Sequence, residues 1–280
     1  MLIFDIETGP DLAAIDRFGK PFNLADVRGL TPEEFVLPAK LAGLASESFD
    51  PASVKLGRMT DPVKIGEKIE EARAAHAAAI ADAEKQIDEL LDRHAAGLAA
   101  NAGIIQAARD EHRAKEIGRA ALSPLTGRIL TIGYANAAGD WGLSESENEV
   151  DLLAEFWAKY LDCQSERRAM VGFNIANFDV PFIVRRSWLH GLAVPRTVYA
   201  QGRYLGANLV DLLQVWKGSA YSDTIKLTEL AEFLGCGAKP DGITGADFAQ
   251  LWANDRPQAI AYLANDLKMT AAVAERLGIV

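Results

Sequence analysis

Three patterns of apolar and polar positions follow one another along the chain. The opening Leu-Ile-Phe-Asp-Ile-Glu-Thr, closed by Gly9-Pro10, predicts a short strand with Leu2, Phe4 and Ile6 on one face. Residues 11–62 are mixed, with turn signals at Thr31-Pro32, Asp50-Pro51 and Asp61-Pro62. From about Val63 to Leu122 the composition shifts to Ala, Glu, Lys and Arg. There Ile69, Ala72, His76, Ile80, Ala83, Ile87, Leu90, His94 and Leu98 recur at steps of three or four, one face of an α-helix. Asn101-Ala102-Gly103 interrupts the stripe, and a second helical stretch runs from Ile104 to about Ala121. Two helices across a short break predict an antiparallel hairpin. Ala-rich stripes bury little area each, which favours pairing within the chain over a coiled-coil dimer.

After Ser123-Pro124 a different pattern begins. Arg128 to Ala135 predicts a strand, and Ala138-Gly139 a turn into another around Trp141. Ser146 followed by Glu149 fits a capping box ahead of the amphipathic stretch DLLAEFWAKYL. Met170 to Phe173 reads as a short strand running into Asn174, followed by a helix through Pro181 towards His190. Leu209 to Val215 fits a strand or the start of a helix equally well. Three helical stretches close the chain: KLTELAEFLG ended by Gly235, GADFAQLW, and a last one from about Pro257 to Leu277. Strands alternating with helices predict an α/β fold. There is no internal repeat.

Composition narrows the function. With 39 acidic residues against 29 basic ones, the net charge of -10 argues against a protein that coats long stretches of duplex. The helical segment follows suit, since residues 66–121 carry more Asp and Glu than Lys and Arg. An acidic chain is still compatible with an enzyme that grips a few nucleotides, because carboxylates that hold divalent cations look acidic until the metal binds. Cys163 and Cys236 read as reduced thiols, not a bridge. No signal peptide and no apolar run of about 20 residues is apparent, so a cytoplasmic protein with no membrane partner is expected.

Three small constellations carry chemistry. Asp5 and Glu7 lie two apart on the first strand, so both carboxylates point the same way, roughly 6–7 Å apart. Taken alone, that is also what a solvated edge strand looks like. Asn174, Phe178 and Asp179 sit where a strand delivers a turn to a helix; a helix cap explains Asp179 but not its two companions. Tyr262 and Asp266 are one turn apart on the last helix.

In this order and at these spacings, D-x-E, N-x3-F-D and Y-x3-D resemble the three motifs of the DEDD superfamily of 3′→5′ exonucleases. The histidine subclass would place its base at Ala261, whereas Tyr262 fills the position of the tyrosine subclass. SPLTGRILTIG, NLVDLL and ANDLKMT are further similar to the exonuclease domains of family B DNA polymerases and to small stand-alone phage or prophage relatives. The resemblance covers roughly residues 1–10 and 122–280. It implies a ribonuclease H-like mixed sheet flanked by helices, a single domain over 1–280 interrupted by the helical hairpin at about 63–122. It also implies two Mg²⁺ or Mn²⁺ ions held by Asp5, Glu7, Asp179 and Asp266, with Tyr262 orienting the attacking water. Thr8, Asn174 and Phe178 would contact the substrate. Asp211, in NLVDLL, is expected only to cap or hydrogen-bond. The implied substrate is the 3′ end of single-stranded DNA. A ribonuclease D-like exoribonuclease and an inactive nucleic-acid-binding module are the alternatives, and one 2′-hydroxyl contact would decide the sugar.

Overall fold

A computed structural model describes residues 1–30, 37–200, 204–218, 224–237 and 244–279. They divide into two compact units, one of Met1–Pro21 with Arg113–Val280 and one of Phe22–His112.

The first unit is built on a five-stranded sheet. β1 (Leu2–Pro10), β2 (Gly127–Asn136), β3 (Trp141–Ser144), β4 (Met170–Gly172) and β7 (Leu209–Asp211) lie in the order β3-β2-β1-β4-β7. β1, β2 and β3 pair antiparallel, while β4 runs parallel to β1 and β7 parallel to β4. A small ribbon of β5 (Tyr199–Ala200) and β6 (Tyr204–Leu205) stands apart. Alternation along β1 sorts the core into two layers. Phe4 and Ile6 join a cluster with α4 (Glu149–Ser165) and α5 (Asp179–Leu189). Ile3 faces the other way, into a cluster made by α6 (Leu212–Lys217), α7 (Leu227–Phe233), α8 (Phe248–Asn254) and α9 (Arg256–Arg276). This is the expected mixed sheet with helices on both faces.

Several local signals act as the sequence predicts. Gly235 closes α7 with φ 68, a conformation that favours glycine. A proline in the first turn and Asp255, which accepts from the backbone N–H of Gln258, start α9. The segment 209–215 is both things: β7 ends at Asp211, whose side chain then caps α6 by accepting from the N–H of Leu213. The capping box before α4 is different. Asn148 is the N-cap, Ser146 bonds Asn148 and Asp151, and Glu149 turns inward. A buried arginine and a free β2 amide attract the Glu149 carboxylate more strongly than its own helix end does.

That inward turn creates a clasp. Glu149 accepts from the N–H of Ile129 at 2.7 Å, from Arg186 Nε at 3.0 Å, and bonds His190 Nε2 at 2.8 Å. Arg186 also donates to the carbonyl of Pro124 and reaches Asp11, the N-cap of α1 (Leu12–Phe18). Both Glu149 and Arg186 are buried, so each depends on the other for neutrality.

The hairpin expectation is overturned. α3 is one continuous helix, Pro62–Ala120, passing through Asn101-Ala102-Gly103 without a break. An interior glycine costs a helix only about 1 kcal/mol relative to alanine. The chain has no proline between Pro62 and Pro124, and good helix formers flank the weak spot on both sides. Within the Phe22–His112 unit, Phe49 and Phe22 pack on the helix. Phe49 packs edge-on against His76 at 5.6 Å with Arg73 over its ring, and Phe22 does the same with His112 and Arg109. The stretch from Phe22 to Phe49 also contains α2 (Ala39–Ser46).

Candidate active site

β1 delivers Asp5 and Glu7 to the face covered by α8 and α9. Asp5 pairs with Gly133 of β2, and Glu7 with Thr131, before the register shifts between Glu7 and Thr8. Gly133 lets α9 come close. A Cβ there would lie 2.8 Å from Leu267 Cδ1 and 2.9 Å from Leu263 Cδ1, which no unrelaxed packing tolerates. Leu263 and Leu267 flank Asp266, so the same close approach brings its carboxylate to the sheet. Oxygen atoms of Asp5, Glu7 and Asp266 all lie within 4.8 Å of one another. Glu7 and Asp266 are buried and Asp5 is half-buried.

Asp179 arrives from the other direction, at the first residue of α5. Its Oδ1 accepts from the N–H of Ile6 at 3.2 Å, and its carboxyl hydrogen-bonds that of Asp5. It is therefore tied to the strand between the two acids of D-x-E, beyond what a cap requires. Burial, with the Asp211 carboxylate adding, pushes Asp179 up to about 7. Tyr262 is buried beside Phe248 and hydrogen-bonds Asp266. Burial first, then the negative charge of Asp266, Glu7 and Asp5, raises the phenol above its ordinary value, so it keeps its proton.

The loop before α5 is held in an unusual shape. Asn174 has φ 61, a left-handed conformation that costs a side-chain-bearing residue energy unless its surroundings enforce it. Asp211 enforces it. One carboxylate oxygen accepts from the N–H of Asn174 at 2.8 Å, and the other accepts from that of Ala176 at 3.0 Å. The Asn174 side chain accepts from Asn177 Nδ2, and Phe178 packs against Phe182 while staying half-buried. Asp211 thus caps α6 and hydrogen-bonds, as expected, yet it also clamps the turn that leads to Asp179. A lone acid in the apolar run NLVDLL was the only sign of that second task. Thr8 lies past the register shift, and its hydroxyl donates to the carbonyl of Ala121 at 2.7 Å. His76 and His112 meet phenylalanines edge-on, and His190 is held by Glu149.

An all-oxygen set of carboxylates in a buried cluster suits a hard divalent cation and suits softer metals poorly. Among the described residues, this is the one group of acids, histidines or cysteines with such spacing.

No curated protein matches the chain. Among solved structures it is similar to the family B DNA polymerase from the hyperthermophilic archaeon Pyrobaculum calidifontis, with 20% identity and a TM-score of 0.46. The match covers 57% of this chain and 23% of that one, so the chain spans less than a quarter of the polymerase. Among the described residues, no helix is long and apolar enough to cross a membrane. The family model of the RNase_H superfamily matches residues 120–271, more than half of the sequence. The mixed sheet, the helices on its two faces and this match agree: the chain has the fold of RNase H-like nucleases and belongs to the RNase_H superfamily.

Proposed function

We propose that the protein is a metal-dependent 3′→5′ exonuclease that shortens single-stranded DNA from its 3′ end and releases nucleoside 5′-monophosphates. The observation that carries this reading is the convergence of Asp5, Glu7 and Asp266 from two distant segments, with Asp179 bonded to Asp5 and Tyr262 to Asp266. All four acids and the tyrosine of the three motifs meet, which a chance run of weak motifs would not do.

Two Mg²⁺ or Mn²⁺ ions, held by Asp5, Glu7, Asp179 and Asp266, would supply a nucleophilic water and neutralise charge on the attacked phosphate. The protein's own groups do the rest. Tyr262, protonated, hydrogen-bonds the water and aims it at the last phosphorus; it orients the water and leaves proton removal to other groups. The water oxygen forms the new P–O bond, the bond to the 3′ oxygen of the preceding nucleotide breaks, and that oxygen takes up a proton. The clamped loop holds Asn174 and Phe178 beside Asp179, where the amide can hydrogen-bond the terminal nucleotide and the ring can stack on a base. Thr8, with its hydroxyl engaged by Ala121, would meet the substrate through its backbone.

Matched DNA and RNA oligonucleotides labelled at the 5′ end test the reading directly. A ladder shortening one nucleotide at a time on DNA, abolished by EDTA, is the expected result. Internal cuts, or hydrolysis undiminished by EDTA, would overturn it; a ladder on RNA alone would transfer the activity to an exoribonuclease.

A further inference from the structure

A cavity chemically opposite to the carboxylate cluster lies at the other end of the sheet. Its volume is about 630 Å³, and it opens where β4 and β7 begin, at Ala169 and Asn208. The proposed active site uses the residues that follow β4 and the far half of β1. β4 runs parallel to β1 with Met170 opposite Leu2. The cavity mouth and Asp5 are therefore about 13 Å apart along the strands, at roughly 3.3 Å per residue. They also belong to different layers, because Val198 and Tyr199 pack with the α4–α5 cluster whereas the acids face α9.

The lining is basic. In a chain with ten more acids than bases, Arg167, Arg168 and Arg196 line this cavity, and among the described residues no Asp or Glu lines it. Arg168 pairs with Glu166, but Arg167 and Arg196 have no ion pair among the described residues. Arg185 adds to the positive field, since it is felt at the Tyr199 hydroxyl. The polar wall is oriented as well. The buried Tyr160 hydroxyl donates to Thr197 Oγ1 at 3.0 Å, and Thr197 donates to Gln164 Oε1 at 3.2 Å. This chain commits the Gln164 carbonyl oxygen and leaves its NH₂ as the group offered outward. Arg167 is held at φ 55 in the tight turn that follows α4, where the N–H of Arg168 closes onto the carbonyl of Cys163. The guanidinium groups of Arg167 and Arg196 beside an amide donor match a phosphate.

We propose that this cavity binds a phosphate group, with Arg167, Arg196 and the amide of Gln164 as its donors. Two sources share that chemistry: the backbone of the strand whose 3′ end lies at the carboxylates, which rests on the exonuclease reading, and a free nucleotide, which does not.

The test uses the full chain and the double variant Arg167→Ala/Arg196→Ala, whose side chains are exposed and whose folding is checked by circular dichroism. Binding of 5′-labelled dT20 is followed by anisotropy in EDTA at stepped salt, and binding of inorganic pyrophosphate by calorimetry. For a strand, the variant binds dT20 about tenfold more weakly, and the slope of log K against log salt falls by about 1.4, at roughly 0.7 per phosphate contact. For a free nucleotide, pyrophosphate binds the parent and not the variant while dT20 binding is unchanged. Equal affinities and slopes for both probes in parent and variant would overturn the site. Hydrolysis of dT3 with Mg²⁺ separates the two proposals. Its expected rate is the same in both proteins. A parent that cleaves nothing yet loses pyrophosphate on substitution removes the exonuclease and keeps the site.

Discussion

Helix α5 carries a buried aspartate at its first residue and a buried arginine about two turns later, and its two ends treat negative charge in opposite ways. At Arg186 the Glu149 carboxylate is surrounded by donors: a guanidinium, the Ile129 N–H and His190. At Asp179 the neighbours are other acids, and burial together with Asp211 pushes its pKa up to about 7. The Tyr262 phenol registers the same negative field from Asp266, Glu7 and Asp5. Both clusters join distant parts of the chain. One is neutral within the protein and holds the fold. The other gathers like charges, and in the proposed function a cation from outside would offset them, turning a carboxylate cluster into a metal centre instead of a clasp.

The sharpest way to break this contrast is to remove an acid from each cluster. Asp5→Ala or Asp266→Ala should reduce hydrolysis to background while the metal-free fold persists with an unchanged or raised Tm, because like charges have been thinned. Full nuclease activity in either purified variant would sink the metal assignment. Next in size is Tyr262→Phe. The ring still packs on Phe248, but the hydroxyl that orients water is gone, so kcat should fall by about 10²–10⁴-fold with metal binding retained. A drop in kcat/KM through KM alone would show that the hydroxyl holds substrate instead.

At the clasp the sign is reversed. Arg186→Met leaves Glu149 buried without its guanidinium, and breaking a buried pair costs about 3–5 kcal/mol. Denaturant unfolding should show that loss. In the fraction that stays folded, the rate per molecule should be unchanged, since the carboxylate cluster contains no clasp residue. A stable Arg186→Met protein with poor catalysis would erase the distinction between the two clusters.

The chain announces these clusters unequally. The acids were legible because each obeys a local rule: Asp5 and Glu7 share a strand face, Tyr262 and Asp266 a helix face. Their meeting was carried only by the order of the motifs and their resemblance to a family. The clasp was not legible, for Glu149 three residues after Ser146 matches a capping box, and nothing nearby in sequence points to Arg186 or Ile129. Asp211 hid for the same reason, since its second set of partners lies more than thirty residues away. The single α3 helix was misread where the balance is finest. A break at Asn101-Ala102-Gly103 and a passage through it differ by about 1 kcal/mol per weak residue, and Phe22 and Phe49, in a stretch with no motif, supply packing that local propensity cannot foresee.

The smallest effect is also the most specific to the acid cluster. Asp179 titrates near 7 when folded and near 3.9 when unfolded. Below about pH 4 it is protonated in both states and contributes nothing to the difference. Between about 4 and 7 the folded protein holds a proton that the unfolded chain has released, so stability falls as pH rises. Above 7 the whole cost is present. Metal-free protein in EDTA should therefore lose Tm from pH 5 to pH 8. Asp179→Asn should flatten that slope and be the more stable protein at pH 8, because the amide oxygen still accepts from the N–H of Ile6. Adding Mg²⁺ should remove most of the parent's loss and leave the variant's Tm nearly unmoved, since a divalent ion favours the ionised form that burial penalises. Identical pH profiles for parent and Asp179→Asn in EDTA would mean that Asp179 is ionised throughout, and the contrast between the two ends of α5 would then rest on geometry alone.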